Sequence, residues 1–291
     1  MIEHPEAVTI AGQIAETLVG KRIRSAIRGN APHKWAFYSY SPEEYAAILE
    51  GQSITGAEPS GSLIFVRITS GHTLVLGGGG ERILFHTSAE TVPAKHQLLL
   101  HFDDDTFLSV KVQGWGSCRL YTPEELEKDW WYSKRRLEPT DAGFTLEYFE
   151  SLLATLKPGD ACSVKLFLIQ EPGVWGMGNG YLQDILLAAR IHPRCRAVDL
   201  SKAQRRALHK AIVQTIKRAI RLHGRTDEYD LFGETGGYGR RLSASAAGRP
   251  CPACGRAAIV KENYLGGSIY TCPQCQPAPP KPDRHADRKR R

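Results

Sequence analysis

The sequence has no run of about 18 apolar residues, which is roughly the length that a membrane-spanning helix requires. Its first ten residues, MIEHPEAVTI, are acidic and lack the charged-then-apolar pattern of a secretory signal. Both absences favour a soluble cytoplasmic protein that is not bound to a membrane.

The sequence also lacks a disulfide framework. Its cysteine count of seven is odd, and three of the cysteines are isolated: Cys118, Cys162 and Cys195. Scattered single cysteines are not typical of disulfide-stapled domains. A reducing compartment therefore fits the chain better than an oxidising one.

Charge is distributed unevenly along the 291 residues, a length that suggests about two domains. Residues 1–141 have a net charge of −4, whereas residues 142–291 have a net charge of +11. A basic C-terminal half fits a polyanionic partner such as nucleic acid. Charge alone fits equally well a basic chain that binds nothing specific.

Four cysteines form two CxxC pairs near the C-terminus: Cys251, Cys254, Cys272 and Cys275. The 17 residues between the pairs suit a hairpin that reverses at Gly266 and Gly267. Four thiolates close a tetrahedral shell, so the pattern predicts one structural Zn²⁺ in a β-ribbon. The alternative, a pair of redox dithiols, does not explain the ribbon spacing.

Proline and basic residues dominate the last segment of the chain, residues 278–291. The segment has no apolar face, so it is predicted to be a disordered tail. Such a tail adds phosphate affinity or serves only solubility.

Helical spacing marks the middle of the chain at residues 146–157, 161–170 and 180–191. A longer helix is predicted to begin after an N-cap at Ser201 and to stop at Gly224. Pro172, Gly173, Gly176 and Gly178 mark a loop in between, and its backbone amides suit a phosphate group.

The N-terminal half begins with an amphipathic helix and continues in short β-rich runs. The runs are SITGAEPS, SLIFVRI, TLVLGG, RILFH, QLLLHFDD and TFLSVKV. Turn residues separate them at close intervals, which predicts an antiparallel sandwich or barrel.

Four features, in the same order, resemble the formamidopyrimidine-DNA glycosylase / endonuclease VIII family over nearly the whole chain. MIEHPEAVTI resembles the family opening Met-Pro-Glu-Leu-Pro-Glu-Val-Glu-Thr-Ile, and AKHQLLLHFDD, which contains His96, resembles its Lys-His strand. GMGNGYLQDILLAARIHP, residues 176–193, resembles its helix–two-turn–helix signature. The ribbon ending in CPQCQ resembles its zinc finger.

The resemblance implies an α+β fold in which a β-sandwich, a helical domain and a zinc finger surround a DNA cleft. Family members flip a damaged base out of the duplex and cut its glycosidic bond. Asn179 matches the asparagine that holds the phosphate beside the flipped nucleotide, and Lys165 matches a lysine on the same backbone. The plainer alternative is a capping asparagine and an exposed lysine.

The chain departs from the family at the attacking amine. In the family, the exposed N-terminal proline attacks the sugar and forms the imine that permits strand cleavage. Ile2 stands at that position, and its primary amine is available only if Met1 is removed. Glu3 is kept, and it is the candidate that activates water or stabilises an oxocarbenium ion. Glu6 is also kept, and it is predicted to hold the N-terminal helix in place.

Further family residues are replaced. Ser62 stands for a lysine, Gly78 for the methionine that fills the hole left by a flipped base, and Gly267 for the finger arginine that helps strand cleavage. Gly114 and Trp115 stand for the Arg-Phe pair that probes the opposite strand. Trp115 is either a wedge in the base stack or a tryptophan at the sandwich edge.

We therefore expect a monomeric, nucleoid-associated DNA repair glycosylase that hydrolyses the bond to a modified base, with weak or absent lyase activity. The alternative is an inactive protein of the same fold that binds DNA lesions or DNA structures. The lost intercalating residues favour DNA other than a normal duplex. The domains are expected at residues 1–130 (sandwich), 131–145 (hinge), 146–248 (helix–two-turn–helix) and 249–277 (finger), and the tail follows.

Overall fold

The computed structural model describes residues 1–170 and 173–280. Its residues form two compact units. The first contains Met1–Phe144, Val174–Gly180 and Val213–Arg240, and the second contains the described residues of Thr145–Gly173, Tyr181–Ile212 and Arg241–Arg291. Pro172 of the predicted loop and residues 281–291 of the predicted tail lie outside the described residues.

Nine strands of the first unit form two sheets. The first sheet has the order β1-β7-β8-β6 and is antiparallel throughout. The second has the order β2-β9-β5-β4-β3, in which only the short β2–β9 pair is parallel. The strand bounds are β1 Ile23–Ile27, β2 Ala36–Phe37, β3 Ile54–Ser60, β4 Leu63–Ile68, β5 Thr73–Gly77, β6 Glu81–His86, β7 Leu98–Phe102, β8 Phe107–Val112 and β9 Gly116–Tyr121.

Side chains from both sheets meet in one apolar core, which confirms the predicted sandwich. The alternation of buried and half-exposed positions in Leu98–Phe102 is the period-two pattern of a strand with one buried face. Strand β5 is buried on both faces: Leu74 and Leu76 join the main core, and Val75 joins an outer cluster with Phe65 and Tyr132.

Helix α1, His4–Leu18, packs its apolar stripe into the same core through Ile10, Ile14 and Leu18. Three shorter helices complete the first 144 residues, and none of them follows from apolar periodicity. They are α2 Pro42–Leu49, α3 Pro123–Lys128 and α4 Trp130–Ser133. Proline in the first turn and a Ser or Thr N-cap start both α2 and α3.

The helices predicted in the middle of the chain are α5 Leu146–Ala154, α6 Val164–Ile169, α7 Asn179–Ala189 and α8 Lys202–Arg221. Ser201 caps α8 as predicted, because its hydroxyl accepts the amide of Gln204 at 3.3 Å. Gly224 ends the turn beyond α8 at a φ of +88°. Helices α7 and α8 each contribute residues to both units.

The ribbon consists of β10, Val260–Tyr264, and β11, Gly267–Thr271, paired antiparallel. The prediction put the reversal at Gly266 and Gly267, and the structure corrects this by one residue. Leu265 and Gly266 form the turn with φ values of +49° and +71°, and Gly267 already pairs with Tyr264. Two successive positive φ angles fit the twist of a two-residue hairpin.

Within the described residues, no helix combines the length and the apolar character needed to cross a membrane.

Candidate active site and metal centre

The start of α1 anchors the candidate active site. Glu3 is the N-cap residue in an extended conformation, and its backbone amide donates to the carboxylate of Glu6 at 3.0 Å. This contact is part of a capping box, and it satisfies the Glu3 amide, for which the helix itself provides no acceptor. The predicted role of Glu6, holding the N-terminal helix, is confirmed by this contact.

Glu3 is buried, and its carboxylate accepts two backbone amides and forms an ion pair with a buried guanidinium group. The backbone amides of Gly178 and Gly180 donate to it at 2.8 Å and 2.7 Å. Nη1 of buried Arg225 lies 3.1 Å from Oε1 of Glu3 and 3.6 Å from Oε2 of Glu6. Hydrogen bonds from the two amides to a charged carboxylate are stronger than neutral ones. Together with the ion pairs to Arg225, they join the five residues in one buried cluster.

Glycine is required at two positions of the GMGNG motif because Glu3 lies directly against the loop. A Cβ atom at Gly178 would lie 2.8 Å from the carboxyl carbon of Glu3, and one at Gly180 would also collide with that carboxylate. The loop was expected to offer its amides to a phosphate, whereas two of these amides bind Glu3. Asn179, between them, is the first residue of α7.

At the N-terminal end, Met1 is exposed to solvent, whereas Ile2 is buried. The α-ammonium of Met1 pairs with the carboxylate of Glu228, and the Met1 side chain is exposed. Ile2 is a core residue, and its peptide nitrogen donates to the carbonyl oxygen of Gly79 at 2.8 Å. With Met1 in place, no amine stands at the Ile2 position.

A cavity of about 280 Å³ opens beside Met1 in the first unit. The side chains of Arg82 and Tyr229 stack on its wall, with the guanidinium carbon 4.0 Å from the ring centroid. Its lining residues are Met1, Gly80, Glu81, Arg82, Gln113, Gly114, Trp115, Asp227, Glu228 and Tyr229.

Glu81 is a buried carboxyl group in the lining of this cavity. It accepts the backbone amides of Ser117 at 2.6 Å and Gly79 at 3.0 Å. Burial raises the pKa of Glu81 to about 7, although these amides and the Met1 ammonium oppose the shift. The group therefore exchanges its proton near neutral pH.

Trp115 is exposed at the turn between β8 and β9. Its ring lies over the glycine run: a Cβ atom at Gly78 would lie 3.5 Å from it, and one at Gly79 would lie 2.9 Å from it. A side chain at residue 78 would meet Leu63 first, because a Cβ atom there would lie 2.9 Å from the Leu63 Cδ2 atom, whereas its distance to the indole is an ordinary contact.

His96 lies before β7 and is buried. Its Nδ1 contacts the carbonyl oxygen of Pro93 at 3.0 Å, and its backbone amide donates to Asn30 at 3.0 Å. Within the described residues, its Nε2 atom has no hydrogen-bond partner. The ring is thus fixed by one nitrogen.

Lys165 belongs to α6 in the second unit, where its side chain is buried rather than exposed. Its Nζ donates to the carbonyl oxygen of Tyr264 at 2.6 Å, at the end of strand β10. Burial lowers the pKa of Lys165. The lysine therefore connects α6 to the ribbon hairpin.

The four cysteines of the ribbon converge on one point. Their Sγ atoms all lie within 4.8 Å of one another, with Cys251 and Cys275 at 4.0 Å and Cys254 and Cys272 at 3.7 Å. The amide of Cys275 donates to Sγ of Cys272 at 3.4 Å. Four thiolates at this spacing are able to hold one metal ion.

The sequence did not single out several residues that build the site. These residues follow the end of α8: Arg225, Asp227, Glu228 and Tyr229. The only local signal is a charged run, RTDEYD, directly after Gly224. Glu81 has no local signal, because its environment depends on three separate strand ends.

Two family models match the chain. Residues 1–124 match the formamidopyrimidine-DNA glycosylase N-terminal domain, and residues 136–229 match the formamidopyrimidine-DNA glycosylase H2TH domain. Among curated relatives, the formamidopyrimidine-DNA glycosylase of a Roseiflexus species is 30% identical over 284 residues, covering 95% of this chain and 100% of that protein. Its namesake from an Exiguobacterium species is 28% identical over 287 residues, covering 95% and 99%.

Solved structures agree with this match. A Lactococcus lactis mutant enzyme of that name in complex with Fapy-dG-containing DNA has a TM-score of 0.83 and 25% identity, covering 95% of this chain and 100% of that one. The complex of the L. lactis protein with abasic-site DNA has the same score, identity and coverage.

Proposed function

The chain belongs to the formamidopyrimidine-DNA glycosylase family, and we propose that it is a DNA repair glycosylase that hydrolyses the bond to a damaged base without efficient strand cleavage. Its curated relatives bear the name of a glycosylase, which favours an enzyme over an inactive lesion-binding protein. We expect it to act as a monomer on cytoplasmic, nucleoid-associated DNA.

We infer weak or absent lyase activity from the position of the family's imine-forming amine. While Met1 is in place, the nitrogen of Ile2 at that position is a peptide nitrogen, and it donates to the carbonyl oxygen of Gly79 at 2.8 Å. A peptide nitrogen has no nucleophilic lone pair, so it forms no imine with a sugar aldehyde. Gly267 also lacks the side chain through which the finger arginine acts. If Met1 were removed, the primary amine of Ile2 would restore a nucleophile.

Glu3 remains the proposed catalytic carboxylate, and its contacts favour electrostatic stabilisation of the transition state as its role. Hydrolysis of a glycosidic bond passes through an oxocarbenium-like transition state. Glu3, Glu6 and Arg225 form a buried group with two acidic side chains and one basic side chain, and two backbone amides orient the Glu3 carboxylate. A fixed anion of this kind stabilises developing positive charge.

The DNA contacts are proposed at Asn179, Lys165, His96 and Trp115. Asn179 is oriented by the amides on either side of it, which bind Glu3. Lys165 has two further N–H donors besides the one given to Tyr264, and they suit a phosphate oxygen. Trp115, which is exposed and whose ring lies beside Gly78, is proposed to enter a base stack as a wedge.

We infer that the four-cysteine site holds one structural zinc ion. A zinc–sulfur distance of about 2.3 Å in a tetrahedron requires sulfur–sulfur distances of about 3.8 Å. The two pairs at 4.0 Å and 3.7 Å fit that requirement. When bound, zinc supplies folding free energy to the ribbon, and the closed shell leaves no place for substrate.

A panel of lesion-bearing oligonucleotides, in duplex and single-stranded form, tests the function. We expect release of a modified base and strand breaks that appear only after hot alkali. Glu3→Gln should abolish release, whereas the exposed control Glu16→Gln on the same helix should retain it. Binding without release of a base from any lesion would contradict the proposal. Trapping of a covalent adduct by borohydride would show instead that an amine acts as the nucleophile.

Glu3→Gln also removes an ion pair, so its fold and binding must be measured alongside. Loss of release with unchanged lesion affinity and an unchanged melting temperature assigns chemistry to Glu3. Loss of affinity together with release assigns it to positioning of the Gly178–Gly180 segment. Mass spectrometry of the purified protein establishes whether Met1 is present in the sample tested.

A further inference from the structure

Three of the five tryptophans lie together on the surface of the first unit. The ring centroids of Trp130 and Trp131 are 4.8 Å apart, and those of Trp131 and Trp175 are 6.1 Å apart. Trp130 is 52% exposed and Trp131 is 47% exposed, while Trp175 is half-buried. We call these three residues the tryptophan surface. Contiguous exposed apolar patches mark interaction sites, whereas single exposed apolar residues are ordinary.

The tryptophan surface is held in place from below. Tyr132, the next residue of α4, is buried and packs against Phe65 with ring centroids 5.5 Å apart. Asp129 caps the same short helix through the amides of Trp131 and Tyr132. Burying the tyrosine anchors α4 and leaves the two preceding indoles outside.

Trp175 belongs to the glycine-rich loop, and separate contacts with the β3–β4 turn hold it in place. Its indole Nε1 lies 3.2 Å from the hydroxyl of Ser60, and a Cβ atom at Gly61 would lie 2.7 Å from that nitrogen. The indole therefore lies directly against the backbone of the β3–β4 turn. Rigid aromatic rings lose little entropy when a ligand stacks on them.

The segment that carries Trp130 and Trp131 is basic. Residues 128–136, KDWWYSKRR, carry four basic side chains and one acidic side chain, within a half of the chain whose net charge is −4. Nζ of Lys134 lies 3.9 Å from the ring centroid of Trp130, and the guanidinium carbon of Arg135 lies 3.3 Å from that of Tyr132. Aromatic faces interleaved with cations suit nucleobases and phosphates together.

Position along the chain connects this surface to the proposed DNA contacts. Trp175 precedes Asn179 by four residues, in the loop that leads into α7, and Ser62, at the position of a family lysine, follows the turn on which Trp175 rests. The indoles and the proposed phosphate contact at Asn179 therefore belong to the same unit of the protein. Paired bases inside a duplex present no free face, so only unpaired bases stack here.

We propose that the tryptophan surface is a stacking platform for unpaired nucleotides, and that the chain processes lesions in single-stranded or locally opened DNA. The absence of a side chain at Gly78 agrees with this, because a single strand leaves no hole in a duplex to be filled. The choice of substrate rests on the proposed glycosylase function, whereas the stacking itself does not.

The test is a binding titration of the full-length, zinc-loaded protein with an undamaged oligothymidine and a duplex of equal length. The readouts are fluorescence anisotropy of labelled DNA and quenching of tryptophan emission. Trp130→Ala combined with Trp131→Ala should weaken oligothymidine binding by about 5- to 100-fold, since each stacked base contributes measurably. Duplex affinity should stay within about twofold.

Trp35→Ala is the matched control, because Trp35 is 51% exposed and also lies near a lysine, with Nζ of Lys34 5.0 Å from its ring. It should leave both affinities unchanged. Trp131→Phe should retain part of the affinity that Trp131→Ala loses. An oligomer of abasic sugar phosphates should bind the parent as weakly as oligothymidine binds the double variant.

Equal loss of single-strand and duplex binding, or no loss of either, overturns the proposal. So does a change confined to self-association or to binding of anionic lipid vesicles, since each points to a different partner. Because these titrations use undamaged DNA, they stand whether or not any base is released. A protein that stacks single strands yet excises nothing would contradict only the proposed enzyme function.

Discussion

Arg225→Met is expected to destabilise the first unit strongly, because it leaves two buried carboxylates without their cation. Arg225, Glu3 and Glu6 are 2%, 2% and 3% exposed, so water compensates little of the lost pairing. Removing one partner of a buried ion pair typically costs about 3–5 kcal/mol. For a domain of this size, that loss lowers the melting temperature by about 6–20 °C.

The measurement is thermal and urea unfolding of the zinc-loaded protein, with Arg221→Met as the matched control. Arg221 is an exposed arginine at the end of α8, and its replacement should change stability by less than about 0.5 kcal/mol. The deficit of Arg225→Met should shrink on acidification, because protonating the carboxylates removes the unpaired charge. Adding Glu3→Gln and Glu6→Gln should recover part of the loss.

Base release should fall with stability in Arg225→Met, since Arg225 and the loop amides share the Glu3 carboxylate. The reasoning is refuted if Arg225→Met unfolds within about 1 kcal/mol of the parent, or if Arg221→Met loses as much. In either case the Glu3–Arg225 contact is not a source of stability.

Three further results are expected. Metal analysis should give one zinc per chain, and Cys254→Ser or a chelator should unfold the ribbon and weaken DNA binding; retention of ribbon signals in amide exchange after zinc removal would contradict this. Burial raises the pKa of Glu81 from 4.5 to about 7. Glu81 therefore contributes on the order of 3 kcal/mol to the free energy of unfolding, which is fully present below pH 4.5 and is lost as the pH rises to 7. Glu81→Gln should therefore flatten stability across pH 4.5–7, and an unchanged pH profile would rule the shift out. If Lys165 contacts a phosphate, Lys165→Met should reduce the salt dependence of DNA binding by about one released counterion, whereas the exposed control Lys157→Met should not change it. An unchanged salt dependence together with a less stable ribbon would show that Lys165 only holds the hairpin through Tyr264.

The sandwich was predictable because short β-rich runs follow one another and turn residues separate them at close intervals. Strand β9 and the two-residue strand β2 were not predicted. Gly116–Tyr121 contains a glycine, a cysteine and an arginine, and it becomes a strand through pairing with β5 rather than through its own pattern. Tertiary pairing decides such segments.

Only the parts of the candidate site that have a local sequence signal were predictable: the glycine-rich motif and the acidic residue near the N-terminus. GMGNG indicates a tight loop, and Glu3 indicates an acid, but no local pattern reveals that the two bind each other. Arg225 is 222 positions after Glu3, and the residues around it suggest only a solvent-exposed charged turn. The burial of Lys165 was likewise missed, because its partner is a carbonyl oxygen on a distant hairpin.

The buried cluster also explains how a glycosylase can keep Glu3 after losing the amine beside it. An imine mechanism needs a nucleophile, whereas direct hydrolysis needs a fixed negative charge near the sugar and a water molecule. Two acidic side chains and one basic side chain leave the cluster with an excess of negative charge, and the amides of Gly178 and Gly180 prevent the Glu3 carboxylate from rotating toward solvent. Loop geometry is therefore a structural reason for Glu3 at this position, and it is the residue proposed to stabilise an oxocarbenium ion.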